Sequence, residues 1–150
     1  MKQERAHHSL AQPLRSIKAI LAGYLVASAV SGSPAAETSA VPVRIGTHEH
    51  PDLDACLSSG EVSGLKPGGD GFLAVRSGPG TKYAMTDKLA EGRLFHMCDS
   101  SADHEWIGIV YNADGSLNCD VGSPVESPRD YHGECKSGWV NKRWVRVVAG

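Results

Sequence analysis

"FLAVRSGPGTKY", residues 72–83, decides how the rest of the chain is read. Its first half alternates side chains in the manner of a strand with one buried face. Its second half, Ser77-Gly78-Pro79-Gly80, stops that strand. Gly78 precedes a proline and so favours extended backbone, Pro79 presets φ, and Gly80 can take the positive φ at the third position of a type II turn. The expectation is a strand that ends abruptly, a tight turn, and a meandering segment that leads to Tyr83.

Outward from this stretch, short apolar runs separated by turn residues recur, and none keeps a helical period, so the chain reads as all-β. Residues 93–98, 106–111, 136–141 and 144–148 are strand candidates, as are 57–65 and 71–76. The last two flank "KPGGD", residues 66–70, whose proline and paired glycines suit a hairpin connection, so an added N-terminal hairpin is expected. Residues 112–135 are rich in Gly, Ser, Pro and Asp and make a long insertion for a compact domain.

Strand parity separates the faces, because successive side chains point to opposite sides. With Ile107, Ile109 and Tyr111 turned inward, Trp106 points away from that core. With Phe95 and Met97 inward, Leu94, His96 and Cys98 lie on the outer face.

The first forty residues differ in character. Lys2, Arg5, Arg15 and Lys18 precede an apolar run from Ala19 to Val30, and small residues follow, which is the order of a secretory signal peptide. The run is shorter than the roughly twenty residues that cross a bilayer as a helix. Ser33 and Ala35 suit the positions before cleavage, so residues 1–35 are expected to be removed, with an uncleaved anchor as the rival reading. Residues 36–52 read as a flexible leader and 53–150 as the domain. The destination is periplasmic or secreted.

Cleavage before Ala36 takes away four of the 15 basic and one of the 17 acidic residues, leaving 11 against 16, a formal charge of −5. Nucleic-acid binding relies on Lys and Arg neutralising phosphates, and no basic stripe survives, Lys142 and Arg143 being only a pair. Cys56, Cys98, Cys119 and Cys135 all follow the export segment, and an even count there reads as two disulfides. Three connectivities exist. Cys119 and Cys135 share one turn-rich stretch, which favours their pairing, and an outward Cys98 then meets Cys56 on an added strand. No spacing fits a structural zinc site. His48, Glu49, His50 and Asp52 carry suitable donors for a divalent metal, but in a flexible leader they read as solvated residues, and no metal or other cofactor is expected.

"FLAVRSGPGTKY", then "DKLAEG", then Trp106, then "SGWVNKRWV", resembles the bacterial SH3-like domain known as SH3b. The likeness runs from Gly71 to Val148. With "DGFLAVRSGPG" and a "C-x-V-x-S-P-V" insertion, the chain resembles an exported variant of that domain. The resemblance implies a small SH3-like barrel of about five to seven strands, here with an N-terminal hairpin and a long disulfide-stapled insertion. It leaves the biochemistry open.

In the wider SH3 architecture a shallow aromatic groove holds extended peptides. Trp106, Tyr83, Trp144, Tyr131 and Trp139 are the large aromatics available for such a groove, Trp139 also suiting the core. Arg76 suits bracing of the turn. Catalysis has weak support: the cysteines are paired, no G-x-S-x-G elbow occurs, and "HEW" at 104–106 lacks the second histidine of a zincin. Glu61 with Asp70, or Asp103 with Glu105, are acid/base pairs in principle but read as solvated charges. The chain is therefore expected to be no enzyme. It reads as a binding module for a peptidoglycan stem peptide or an envelope protein or peptide. The alternatives are a structural or accessory exported protein that acts through its insertion, and a targeting module linked to cell-wall hydrolysis.

Overall fold

The computed structural model describes residues 38–150. The expected signal peptide and its cleavage site lie outside the described residues. The strands are β1 (Arg44–Ile45), β2 (Ser58–Val62), β3 (Leu73–Arg76), β4 (Met85–Leu89), β5 (Leu94–Ser100), β6 (Trp106–Tyr111), β7 (Arg129–Asp130), β8 (Lys136–Asn141) and β9 (Val145–Ala149), with one 3-10 turn at Lys142–Trp144. The fold is all-β. β1 pairs antiparallel with β7, and the other seven strands form one sheet in the order β4-β3-β8-β6-β5-β2-β9.

All seven strands send side chains into one core. Phe95, Ile109, Val62, Val75 and Val140 are completely buried there, Leu89 enters from one edge strand and Val145 from the other. The sheet must therefore curl around this core, yet among the described residues its edges β4 and β9 are not paired with each other, so the expected barrel is not closed. The expected hairpin across "KPGGD" is also corrected: β2 pairs with β5 and β9, while β3 pairs with β4 and β8. The turn glycines make a loop between strands that lie far apart in the sheet. Strand β4 escaped the sequence reading because "MTDKL" is an edge strand with mostly exposed, polar side chains.

The parity expectation holds. Ile107, Ile109 and Tyr111 belong to the inner core, whereas Trp106, Val110, Cys98 and Trp139 pack in a second cluster on the opposite face of the sheet. That second cluster is built by two segments laid over the sheet. One is the strap, residues 41–56, which buries Val43, Ile45, Ala55 and Cys56; the other is the insertion, which buries Cys119, Val121 and Tyr131. Residues 41–45 are thus not a flexible leader. Val43 and Ile45 turn inward from an extended segment that ends in β1, and the Trp139 Nε1–H donates to Val41 O at 2.8 Å. Gly108 provides the landing site, since a Cβ there would lie 2.7 Å from Asp99 Cβ and 3.0 Å from Val43 Cγ1.

Both disulfides have the expected connectivity, Cys56–Cys98 and Cys119–Cys135. The first ties the strap to β5; the second closes the insertion. Two such bridges are the mark of an oxidising compartment. No helix among the described residues is long and apolar enough to cross a membrane.

The turn after β3 differs from its expected form. Gly80 has φ 155°, and its N–H donates to Gly78 O at 3.0 Å. That is not the φ near +80° of a type II turn. The steric demand falls on Gly78, where a Cβ would lie 2.4 Å from Tyr83 Cδ1. Arg76 braces the turn as expected, Nη1 donating to Thr81 O at 3.2 Å and Tyr83 O at 2.8 Å.

Candidate functional site

A cleft of about 510 Å³ opens beside the start of β6 and the end of β8, between the 3-10 turn and the segment that leads into β3. Trp106 and Trp144 both line it, with Phe72, Arg76, Asn141 and Arg143 between and around them. Trp106 leans on the outer cluster and Trp144 on the inner one, so each ring is anchored from behind and half-buried.

Short-range bonds fix the two turns that carry these tryptophans. The Trp106 N–H donates to Ser101 Oγ at 3.0 Å, and Ser101 Oγ in turn donates to Asp103 Oδ1 at 2.5 Å. The Glu105 N–H also donates to that carboxylate, at 3.1 Å. These bonds from Ser101 first, and from Glu105, hold the Asp103 carboxyl below the usual carboxylate range. On the other side, Asn141 Oδ1 accepts from Arg143 N at 3.0 Å and starts the 3-10 turn. The Lys142 N–H donates to Glu105 O at 2.9 Å, which couples that turn to the one that carries Trp106. Arg143 then lies over Trp144, 5.1 Å from the ring centroid. The far wall of the cleft, the loop with Leu65 and Lys66, is held by Glu91, which accepts from Gly64 N at 2.8 Å and Leu65 N at 2.9 Å.

The other aromatic candidates lie elsewhere. Tyr83 packs on Gly78 and does not line this cleft. Trp139 is buried in the outer cluster and bonded to the strap. Tyr131 is buried in the same cluster, its hydroxyl accepting from Cys135 N at 3.1 Å. Of the five residues, the fold brings Trp106 and Trp144 together.

Comparison with protein-family models, curated proteins and solved structures finds no match for this chain. The chemistry of the site is therefore read from its own residues.

The acid/base pairs considered above serve the fold. Glu61 forms an ion pair with Arg146, and Asp103 braces the β5–β6 turn. Ser100 Oγ lies 3.1 Å from His104 Nδ1 in that same turn, but the Asp103 carboxylate faces Ser101 and Glu105 instead of the imidazole. His48, Glu49, His50 and Asp52 are exposed, and among the described residues no three His, Cys, Asp or Glu side chains converge as metal ligands. The cleft can hold a ligand by stacking, cation–π attraction and hydrogen bonding.

Sequence reasoning missed Phe72, Arg143 and Asn141. For Arg143 a signal was present: "NKRW" sets two cations directly before a tryptophan. Phe72 opens the quoted stretch but precedes β3, where the parity rule has no purchase.

Proposed function

We propose that this chain is an exported SH3b-type binding module that recognises a cell-envelope ligand, a peptidoglycan stem peptide or an envelope protein or peptide, without covalent chemistry. The observation that carries the reading is the pairing of Trp106 and Trp144 along one cleft, each ring backed by a core. Two half-buried indoles, each packed on a core from behind and carried on a hydrogen-bonded turn, lose little entropy on contact, which is what an aromatic anchor requires. The SH3b resemblance supplies the expectation of an aromatic groove, and the two disulfides agree with life outside the cytoplasm. The apolar residues of the insertion, Val121 and Tyr131, are spent on the outer core, which favours the cleft over the insertion as the contact.

The test is retention of the protein, expressed from its full sequence in a host with an oxidising envelope, on insoluble peptidoglycan and on immobilised envelope extract. Wild type is expected to be retained by one of them, and Trp106→Ala and Trp144→Ala to weaken retention by on the order of tenfold or more, each removing an aromatic anchor. Equal melting curves are the control for folding. Undiminished retention of both variants refutes the cleft; no retention of wild type on either material refutes the envelope role.

A further inference from the structure

The aromatic cleft has a neighbour. A second cleft of about 600 Å³ is lined by Arg44, His48, Leu57, Met97 and Lys142 among others. The two are separated by one ridge made of β6 and the 3-10 turn. Trp106 lines the first cleft and the next residue, Ile107, the second; Arg143 lines the first and the preceding residue, Lys142, the second. A chain-like ligand that crosses the ridge touches both.

The charge of this surface opposes that of the whole. Lys66, Arg76 and Arg143 line the first cleft against one acid, Asp70. Arg44 and Lys142 line the second against one acid, Asp99. Five of the 11 basic residues beyond position 35 thus meet two of the 16 acidic ones. Moreover, both Asp99 oxygens are engaged by backbone amides, Oδ2 by Arg44 N at 3.0 Å and Oδ1 by Ser100 N at 2.8 Å, so this carboxylate does not bridge to the lining cations. Glu105, which precedes Trp106, lines neither cleft. A basic band on an acidic protein attracts anions and repels cationic partners through the same field.

We propose that the two clefts together bind an extended acidic peptide, its carboxylates on the Lys142–Arg143 ridge and its apolar side chains against Trp106, Trp144 and Leu57. This rests on the binding reading above and adds the sign of the ligand's charge and a second subsite. A peptide fits better than an anionic polysaccharide because the exposed Leu57 and the half-buried Met97 give the second cleft an aliphatic wall that a sugar chain leaves unsatisfied.

The experiment is titration of tryptophan fluorescence with three probes: a ten-residue peptide alternating leucine and glutamate, its leucine–lysine counterpart, and polygalacturonate. Binding of the acidic peptide alone is expected. It should weaken at least tenfold when salt is raised from about 0.05 to 0.5 M, because exposed charges are then screened within a few ångströms. The double variant Lys142→Glu, Arg143→Glu should lose at least tenfold, whereas Lys82→Glu, outside both clefts, should not. Equal binding of both peptides, tighter binding of polygalacturonate, or insensitivity to salt and to the double variant each overturn the proposal. Trp106-dependent retention on envelope material that the double variant leaves unchanged would sink the charge argument and leave the binding module standing. Charge-dependent peptide binding without envelope retention would do the reverse.

Discussion

The two faces of the main sheet are filled by different means. The inner core draws on all seven strands, and its residues recur at every second position, so the sheet supplies both sides of its own packing. The outer core is made by two irregular segments that lie on β5, β6 and β8, one of them from before the first long strand and the other from between β6 and β8. A disulfide sits in each of these segments. The difference teaches where a small domain needs covalent help: a face covered by loops forms few ladder hydrogen bonds, and cross-linking restrains the loops in the unfolded chain instead.

The most forceful way to break this contrast is to remove the bridges. Replacing Cys56 and Cys98 by alanine opens a link across 42 residues and is expected to cost about 4 kcal/mol in the chain-entropy model; replacing Cys119 and Cys135, 16 residues apart, about 3 kcal/mol. Denaturant titration gives the totals. Amide exchange gives the location: protection should fall at residues 41–56 and 119–135 and persist in β6 and β8. Equal loss on both faces would mean that the outer layer is no separate unit.

A gentler probe adds one methyl group on either side. Gly108→Ala drives a Cβ into Asp99 and Val43 and is expected to cost roughly 1 to 3 kcal/mol, as overpacking of a well-filled site does, while exposing the strap to proteolysis. Gly78→Ala meets the Tyr83 ring and should destabilise to a similar degree; since Val41 N donates to the neighbouring Ser77 O at 2.7 Å, it should loosen the strap at Val41 and leave residues 43–56 protected. Limited proteolysis beside thermal melts separates the two outcomes.

The smallest effect concerns acid. Asp87 accepts from Lys136 Nζ at 2.8 Å and from the hydroxyl of Tyr111 at 2.9 Å, both on the same oxygen. The bond from Lys136 first, then the Lys88 amide, pulls its carboxyl down to about 2, and burial together with Asp87 pushes the Tyr111 hydroxyl up. A carboxylate with a depressed folded-state value contributes stability that is present above its unfolded value near 4 and is lost as pH falls toward 2. Asp87→Asn should therefore flatten the pH dependence of melting between about 4 and 2, an effect confined to the inner-core side. An unchanged slope would show that the cluster is not formed in solution.

Much of the inner core was legible because parity is a local rule: "WIGIVY" and "LFHMC" tell their own faces. The Cys119–Cys135 bridge was legible from their sharing one turn-rich stretch, and Cys56–Cys98 from what that left over and from the same parity rule applied to Cys98. The strap was not, because "VPVRI" is short, carries a proline and finds its partners at Trp139 and β7, far along the chain. Trp106 and Trp144 were readable as large aromatics near strand ends. Their convergence was not, since it depends on the Lys142 bond to Glu105 and on how far the sheet curls. The turn at Gly78 shows the limit from another side: the motif announced a tight reversal, but the residue that needs the missing side chain is set by where the Tyr83 ring comes to rest.

The pairing of Arg44 with Asp130 also has a kinetic consequence. In a chain that emerges amino end first, β1 is available long before β7 and before β5, β6 and β8, which form the surface that Val43 rests on. Contacts so distant along the chain close slowly. Until residues 41–45 take their place, the outer faces of Trp139 and Val110, which they cover, stay uncovered.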